Sequence, residues 1–258
     1  MTKPIIIKVG GALLESESAA SQFFTQLSLL KGVNPIVVHG GGAQVQAMLK
    51  DLGFTSQKHL GMRITPDAHM PVVAGVLAGS VNKQLVAMAQ AKSCKAVGIS
   101  ILDGNLMHCE RVSESLGCVG APTTVNPKLV SELVENNWLP IVSSIGSDSK
   151  GQLLNINADH AASALAVAMV CPLVLLSDVS SVLNENKERI ATISPNDMQE
   201  LINAKVIVEG MKVKVESAMD TAQKTNRSVT IAGWKDNIND IINGRLGTQV
   251  HAHKGPLI

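Results

Sequence analysis

Short, almost wholly apolar runs constrain this chain more than any other feature: Ile5–Val9, Pro35–Val38, Ala96–Ile99, Pro140–Ser143, Leu173–Leu176 and Val229–Ile231, each bounded by Gly, Pro, Asn or Ser. Apolar runs of this length between chain breakers read as strands buried on both faces. Such strands belong to parallel sheets covered by helices. Helical periodicity fills the intervals at Ala43–Leu52, Pro66–Ala91, Pro127–Asn136, Ala158–Met169, Pro195–Asn203 and Met211–Thr225, with Pro or Asp near several starts. The alternation predicts an α/β fold, an open and mostly parallel central sheet sandwiched between helices. Two stretches depart from it. Lys58–Thr65 and Leu102–Val119 alternate in polarity, the second turning at Asp103-Gly104 and Leu116-Gly117, and read as antiparallel hairpins at the sheet's edge or over a site. No repeat or Gly/Ser/Pro-rich linker interrupts the chain, so residues 1–258 are expected to form one domain. A soft division at Cys171-Pro172 separates an N-lobe, 1–171, from a C-lobe, 172–258.

Composition narrows the partners. Hydrophobic residues make up 45% of the chain, enough for a large core, but aromatics only 2% with no Tyr, so that core is aliphatic and no stacking platform for nucleic acid is expected. A net charge of +1 provides no basic field for nucleic acid or a membrane surface, which leaves a small molecule as the expected partner. Cys94, Cys109, Cys118 and Cys171 lack C-x-x-C spacing and read as reduced thiols, neither disulfides nor zinc ligands, which suits the cytoplasm. The run Ile5–Ile7 is too short for a signal segment and ends on Lys8. No stretch has the ~18 uninterrupted apolar residues of a membrane span, and Ala161–Val170 comes nearest.

Several polar motifs carry chemistry. Lys8-Val9-Gly10-Gly11 puts a lysine and two glycines at the end of the first strand, where open α/β sheets bind ligands. His39-Gly40-Gly41-Gly42 follows the second strand and precedes a helix. Three consecutive glycines are entropically costly where a turn needs one or two, so this backbone is expected to lie against an anion at a helix N-terminus. Neither loop matches the Walker A or dinucleotide pattern, and no protein-kinase signature occurs. In Asn155-Ile156-Asn157-Ala158-Asp159, either Asn157 or Asp159 can cap the following helix, but one cap does not explain three polar residues. Alternation would set Asn155, Asn157 and Asp159 on one side of an extended segment, two amides for a substrate and a carboxylate for nearby cations. Lys212 and Lys214 occupy the first turn of a helix, against its dipole, where a polyanion would compensate them; one of the two reads as a solvated residue. Arg63, in the first hairpin, suits bidentate capture of a carboxylate, although a lone arginine is more often a surface charge.

Taken in order, Ile7–Gly11, His39–Gly42, Asn155–Asp159, Ser177-Asp178-Val179 and Gly210–Lys214 resemble the amino acid kinase family along essentially the whole chain. Gly61–Thr65, Leu77-Ala78-Gly79, Asn82-Lys83 and Asn155–Asp159 resemble the branch that phosphorylates N-acetyl-L-glutamate. The resemblance implies transfer of the γ-phosphoryl group of ATP, with Mg²⁺, to a side-chain carboxylate. It assigns Lys8 and Lys214 to the two flanks of the transferring group, with Asp159 orienting both. Gly10, Gly11 and Gly41 match glycines whose amides meet phosphoryl oxygens. Gly42, Arg63, Asn155 and, beside it, Asn157 fall to the acetylated amino acid. Asp178, Val179, Ser180, Ser181, Val182 and Leu183, with Val206, Ile207 and Val208, match the segments around the nucleotide. The family commonly has Gly where this chain has Ser181, so that residue is expected either to take a positive φ or to mark a different loop.

The resemblance further implies an N-lobe that binds acetylglutamate and dimerises, and a C-lobe that binds ATP. Arginine-inhibited relatives carry an extra helix ahead of the first strand, and Lys8 comes too early for one here, so an arginine-insensitive homodimer is expected. Rival readings are glutamate 5-kinase, aspartokinase or carbamate kinase of the same family, and a sensor that keeps the fold without turnover. Retention of Lys8, Asp159 and Lys214 argues against the sensor.

Overall fold

A computed structural model of the chain describes residues 3–59, 62–207 and 209–253. The first half contains β1 (Lys3–Val9), α1 (Ala12–Glu15), α2 (Glu17–Ser28), β2 (Val33–His39), α3 (Gly42–Asp51), β3 (Lys58–His59), β4 (Met62–Arg63), α4 (Met70–Ala74), α5 (Asn82–Ala91), β5 (Ala96–Ser100), β6 (Met107–Arg111) and β7 (Val119–Val125). There follow α6 (Lys128–Glu135), β8 (Leu139–Ser143), β9 (Ile145–Ser147), β10 (Leu153–Ile156), α7 (Ala158–Met169), β11 (Leu173–Ser177), β12 (Thr192–Ile193), α8 (Pro195–Asn203), α9 (Glu209–Thr225), β13 (Val229–Gly233), α10 (Ile238–Ile242) and β14 (Thr248–Val250).

Eight strands form one sheet in the order β12-β14-β13-β11-β1-β2-β8-β5. Every pairing from β13 to β5 is parallel, and β14 turns antiparallel against β13. The strands are apolar on both sides because both faces are covered: Ile6, Ile7, Ile36 and Ile141 are fully buried. Helix α7 presents Ala161, Ala162, Leu165 and Ala166, and these mostly small side chains let it lie close against β1. A smaller sheet, β6-β7-β10-β9, combines the β6–β7 hairpin with a parallel β7–β10 pair, and β3–β4 form the short hairpin expected at Lys58–Thr65. Leu60 and Gly61 of that hairpin lie outside the described residues.

Three local departures have physical reasons. Ala12–Glu15 and Glu17–Ser28 are helices, although neither is among those expected above. Ser16 caps α2 by accepting from the Ala19 N–H, and Ala20, Phe23, Phe24 and Leu27 repeat at helical spacing on its buried face. The helix expected over Pro66–Ala91 is not uniform. It opens on a 3₁₀ turn at Asp67–His69, continues as α4, widens into a π-helical turn at Gly75–Val81 and resumes as α5. This stretch, Asp67–Ala91, and not Ala161–Val170, is the one among the described residues long and apolar enough to cross a membrane. Its Val73, Leu77, Val81 and Leu85 are instead buried in the core of the fold. Lastly, β12, β14 and α10 are too short for periodicity to reveal.

Candidate active site

The order in which strands are added to the sheet reverses at β1. The chain continues from β1 to β2 on one side, whereas β11 pairs with β1 on the other, with Lys8 in register with Val38 and Leu175. Such a switch point opens a crevice at the carboxyl ends of the strands. Into that crevice run the loops after β1 (Gly10, Gly11), β2 (Gly40–Gly42) and β11 (Asp178, Val179), and two cavities meet there. One, of about 250 Å³, is lined by Lys8, Gly10, Gly11, Gly40, Gly41, Gly42, Arg63, Leu77, Asn155, Asn157 and Asp159 among others. The second, of about 300 Å³, is lined by Lys8, Gly10, Gly11, Ser177, Asp178, Val179, Met211 and Lys214. Lys8 and its two glycines belong to both.

Lys8 Nζ lies 3.0 Å from Asp159 Oδ1, an ion pair joining residues from β1 and the first turn of α7. Asp159 is therefore helical, and the extended segment ends at Ile156. Asn157 is the cap: its Oδ1 accepts from the N–H groups of Asp159, at 2.8 Å, and His160. Lys214 makes no ion pair within 4.0 Å of Asp159. Burial lowers its pKa, Lys8 lowers it further, and Asp159 and Asp178 act in the opposite sense. Lys212, by contrast, pairs with Glu216 one turn on, so it is the solvated lysine of the two.

Arg63 is not a surface charge. It is 9% exposed, with Nη2 donating to the Gly42 carbonyl at 2.8 Å and Nη1 to Gln46 Oε1 at 2.6 Å and to Ser56 Oγ. No carboxylate pairs with it among the described residues, and burial draws its pKa below that of a free guanidinium. A buried cation facing a cavity with only neutral partners is poised for an anionic ligand. Asn155 Nδ2 donates to Thr65 Oγ1, which donates to the Arg63 carbonyl, so β10 and the β4 strand hold one wall together. The opposite wall is the start of α3, whose N-cap, Gly41, provides no side-chain cap. Gly41 sits at φ 155°, which L side chains rarely adopt, and a Cβ there would also meet Leu77 Cδ2 at 2.7 Å, whereas one on Gly42 would meet nothing within 4 Å. That open space, beside uncapped helix amides, can receive an anion.

On the second side, Trp234 Nε1 donates to Asp178 Oδ1 at 3.1 Å, while Asp236 accepts from the Gly233 N–H and from Ser180 Oγ. Ser181 keeps a negative φ and is buried, so its backbone does not require a glycine. Val182 and Ile207 belong to the apolar core, Leu183 bridges to Arg189, and Val206 lines a separate cavity with Ile190, Thr192 and Leu201. Val208 lies outside the described residues. The structure thus gathers Gly10, Gly11, Asp178 and Val179 around Lys8 and Lys214, and leaves the side chains of Val182, Val206 and Ile207 away from that cavity.

Sequence reasoning quoted His39 and Asn82 within motifs but gave their side chains no role, and it passed over Trp234 and Ser144. His39 and Asn82 are fully buried. The His39 pKa is lowered to about 4, chiefly by burial and also by Lys83, against the opposing effect of the bond to Gly40. Their signal was weak, a polar residue at the end of a buried strand and another inside an apolar helix. All four cysteines are free, and burial raises Cys109 and Cys118 to about 11 and Cys171 to about 12, which makes them unreactive.

Fold and site together define a class: α/β proteins that gather glycine loops and lysines at the switch point of a parallel sheet, in a crevice that can receive an anion. The chain belongs to the amino acid kinase family, whose description matches residues 3–233. It is 40% identical over 251 residues to the acetylglutamate kinase of Colwellia psychrerythraea, an alignment covering 96% of each chain. Its fold matches that of a protein from Streptococcus mutans UA159 with a TM-score of 0.78, at 28% identity over 98% of this chain and 100% of that one. It also matches a carbamate kinase of Giardia with a TM-score of 0.69, covering 97% and 99%, a likeness of fold at 18% identity.

Proposed function

We propose that this chain is an acetylglutamate kinase. It transfers the γ-phosphoryl group of ATP to the γ-carboxylate of N-acetyl-L-glutamate, giving N-acetyl-L-glutamyl 5-phosphate and ADP, the second step of arginine biosynthesis from glutamate. The observation that carries the reading is the pair of cavities sharing Lys8, Gly10 and Gly11. An acceptor seated by Arg63 and Asn155 and a nucleotide seated by Asp178, Val179 and Lys214 would meet at Lys8. In-line transfer then needs positioning and positive charge on the equatorial oxygens, which Lys8, Lys214 and the glycine amides provide. Asp159 holds Lys8 on line. The acceptor carboxylate is already ionised near neutral pH, its reference pKa being about 4.3, so no general base is required. Gly41 and Gly42, with Asn157 shaping the start of α7, complete the acceptor wall; Ser180 and Ser181 support the nucleotide loop.

Among the described residues no three His, Cys, Asp or Glu side chains converge on a metal position. Mg²⁺ would therefore be held through the nucleotide phosphates, where it supplies charge neutralisation. In this reading the N-lobe, 1–171, binds acetylglutamate and the C-lobe, 172–258, binds ATP, in the cytoplasm. A homodimer is supported by β5, which ends the eight-stranded sheet with one edge unpaired among the described residues, and sedimentation as a monomer would reject it.

The test is a panel of acceptors in an ADP-release assay: N-acetylglutamate, glutamate, aspartate and carbamate. Turnover with N-acetylglutamate far above the others is expected, and preference for free glutamate would overturn the assignment. Replacement Lys8→Ala should lower kcat by orders of magnitude. Unchanged turnover would remove Lys8 from the mechanism.

A further inference from the structure

His39, Asn82, Lys83 and Gly98 form a network beside the cleft to which the phosphoryl-transfer chemistry above gives no role. The orientation of the Asn82 amide is determined by its neighbours. Its Nδ2 lies 2.9 Å from the Ile141 carbonyl and 3.3 Å from the Ile99 carbonyl, both acceptors only, and its Oδ1 accepts from Lys83 Nζ at 3.1 Å. A flipped amide would set oxygen against two carbonyl oxygens. The same Nδ2 lies 3.0 Å from His39 Nε2, so that ring nitrogen faces a donor and is the unprotonated acceptor. Nδ1 lies 2.8 Å from the Gly40 carbonyl and must carry the hydrogen. One tautomer of a neutral imidazole is thereby specified from both ends. Gly98 permits the arrangement, since a Cβ there would stand 2.1 Å from Asn82 Oδ1.

We infer that His39 is a positioning residue, whose Nδ1–H, held by Asn82, sets the direction of the Gly41 amide at the anion cavity. The link is the planar peptide group: the Gly40 C=O and the Gly41 N–H share one plane and point in opposite directions. Holding the carbonyl on the imidazole side holds the N–H on the other, and that N–H has no acceptor among the described residues. Three glycines in a row have more freedom than any other tripeptide, so a directed amide here requires an outside restraint. The π-helical turn supplies the remainder, with Leu77 and Val81 packed over Gly41.

The inference rests on the kinase reading above, and wild-type turnover with N-acetylglutamate tests that reading first. Given an active wild type, His39→Leu should lower kcat/KM by about 10- to 100-fold, the scale of a misplaced reacting group. His39→Asn, whose amide nitrogen reaches the Nδ1 position, should restore most of the loss. A His39→Leu enzyme within twofold of wild type, or folded His39→Asn no better than His39→Leu, overturns the inference. Nitrogen-15 NMR of the wild type gives readouts independent of the variants. Nδ1 should be the protonated ring nitrogen near neutral pH, and the Gly41 amide resonance should shift when ADP and N-acetylglutamate are added. A protonated Nε2 or an unmoved Gly41 amide overturns the inference even if both variants fail to fold.

Discussion

Lys8 and Arg63 are both largely buried cations, and they are satisfied differently. Lys8 has Asp159 at 3.0 Å, while among the described residues Arg63 has only a carbonyl, an amide oxygen and a hydroxyl. In the proposed acceptor site, this buried guanidinium would be the cation that meets a carboxylate. Arg63→Ala should raise KM for N-acetylglutamate roughly 10- to 100-fold, the worth of a charged hydrogen bond, and leave KM for ATP little changed. Arg63→Lys should recover only part of it, because an ammonium cannot reproduce the fork that reaches Gly42, Gln46 and Ser56. Initial-rate measurements on both substrates check this. His39 makes a second residue-scale statement. It ionises near 6.5 in the unfolded chain and near about 4 in the folded one, so between these values only the unfolded state takes up the proton. The associated stability is fully present above about pH 6.5 and is lost as pH falls through about 4, on the order of 3 kcal/mol in all. Urea unfolding across that window should lose this slope in His39→Asn relative to wild type.

At the scale of elements, the joins carry the strain. Helix α7 ends on Val170 at φ 48° and ψ 48°, a left-handed conformation that a β-branched residue adopts at a cost. Val170 is exposed and little packing depends on it, so Val170→Gly should stabilise the fold by ~1 kcal/mol in thermal or denaturant unfolding. Strand β5 carries the opposite case. Gly98→Ala would drive a methyl group into Asn82 and Val86, and should cost about 1–3 kcal/mol, with a loss of turnover larger than the loss of fold explains if the Asn82–His39 restraint is broken. Much at this scale was legible. The polar run before α7 announced a cap, whereas α2 was missed although Ala20, Phe23, Phe24 and Leu27 repeat at helical spacing. The π-helical turn was not legible, because residues at Gly75–Val81 satisfy a 3.6-residue period as well as a wider one, and the choice comes from packing on the glycine loop.

For the whole molecule, the decisive fact is that β1 stands between β2 and β11, so elements far apart in the chain converge on one crevice. Both cavities lie at that crevice, and ligands that bind only the folded crevice stabilise the entire domain by linkage. ATP and N-acetylglutamate at about 100 times their dissociation constants should each add ~2.7 kcal/mol, measurable as a rise in unfolding midpoint, with the second ligand's shift testing whether the two sites are occupied together.

By itself the sequence determined the alternation of buried strands and helices, the glycine loops at strand ends, and Lys8 at the end of the first strand, because periodicity and chain breakers encode local burial directly. The family resemblance grouped Lys8, Asp159 and Lys214, but only the tertiary structure gave the 3.0 Å between Lys8 and Asp159, set Lys214 against the cavity, and buried Arg63 with no carboxylate partner among the described residues. It also decided that His39 holds one tautomer. Each of these depends on which strands lie side by side and on the acceptors a neighbouring element presents, and no local pattern of residues carries the distance between positions 8 and 159.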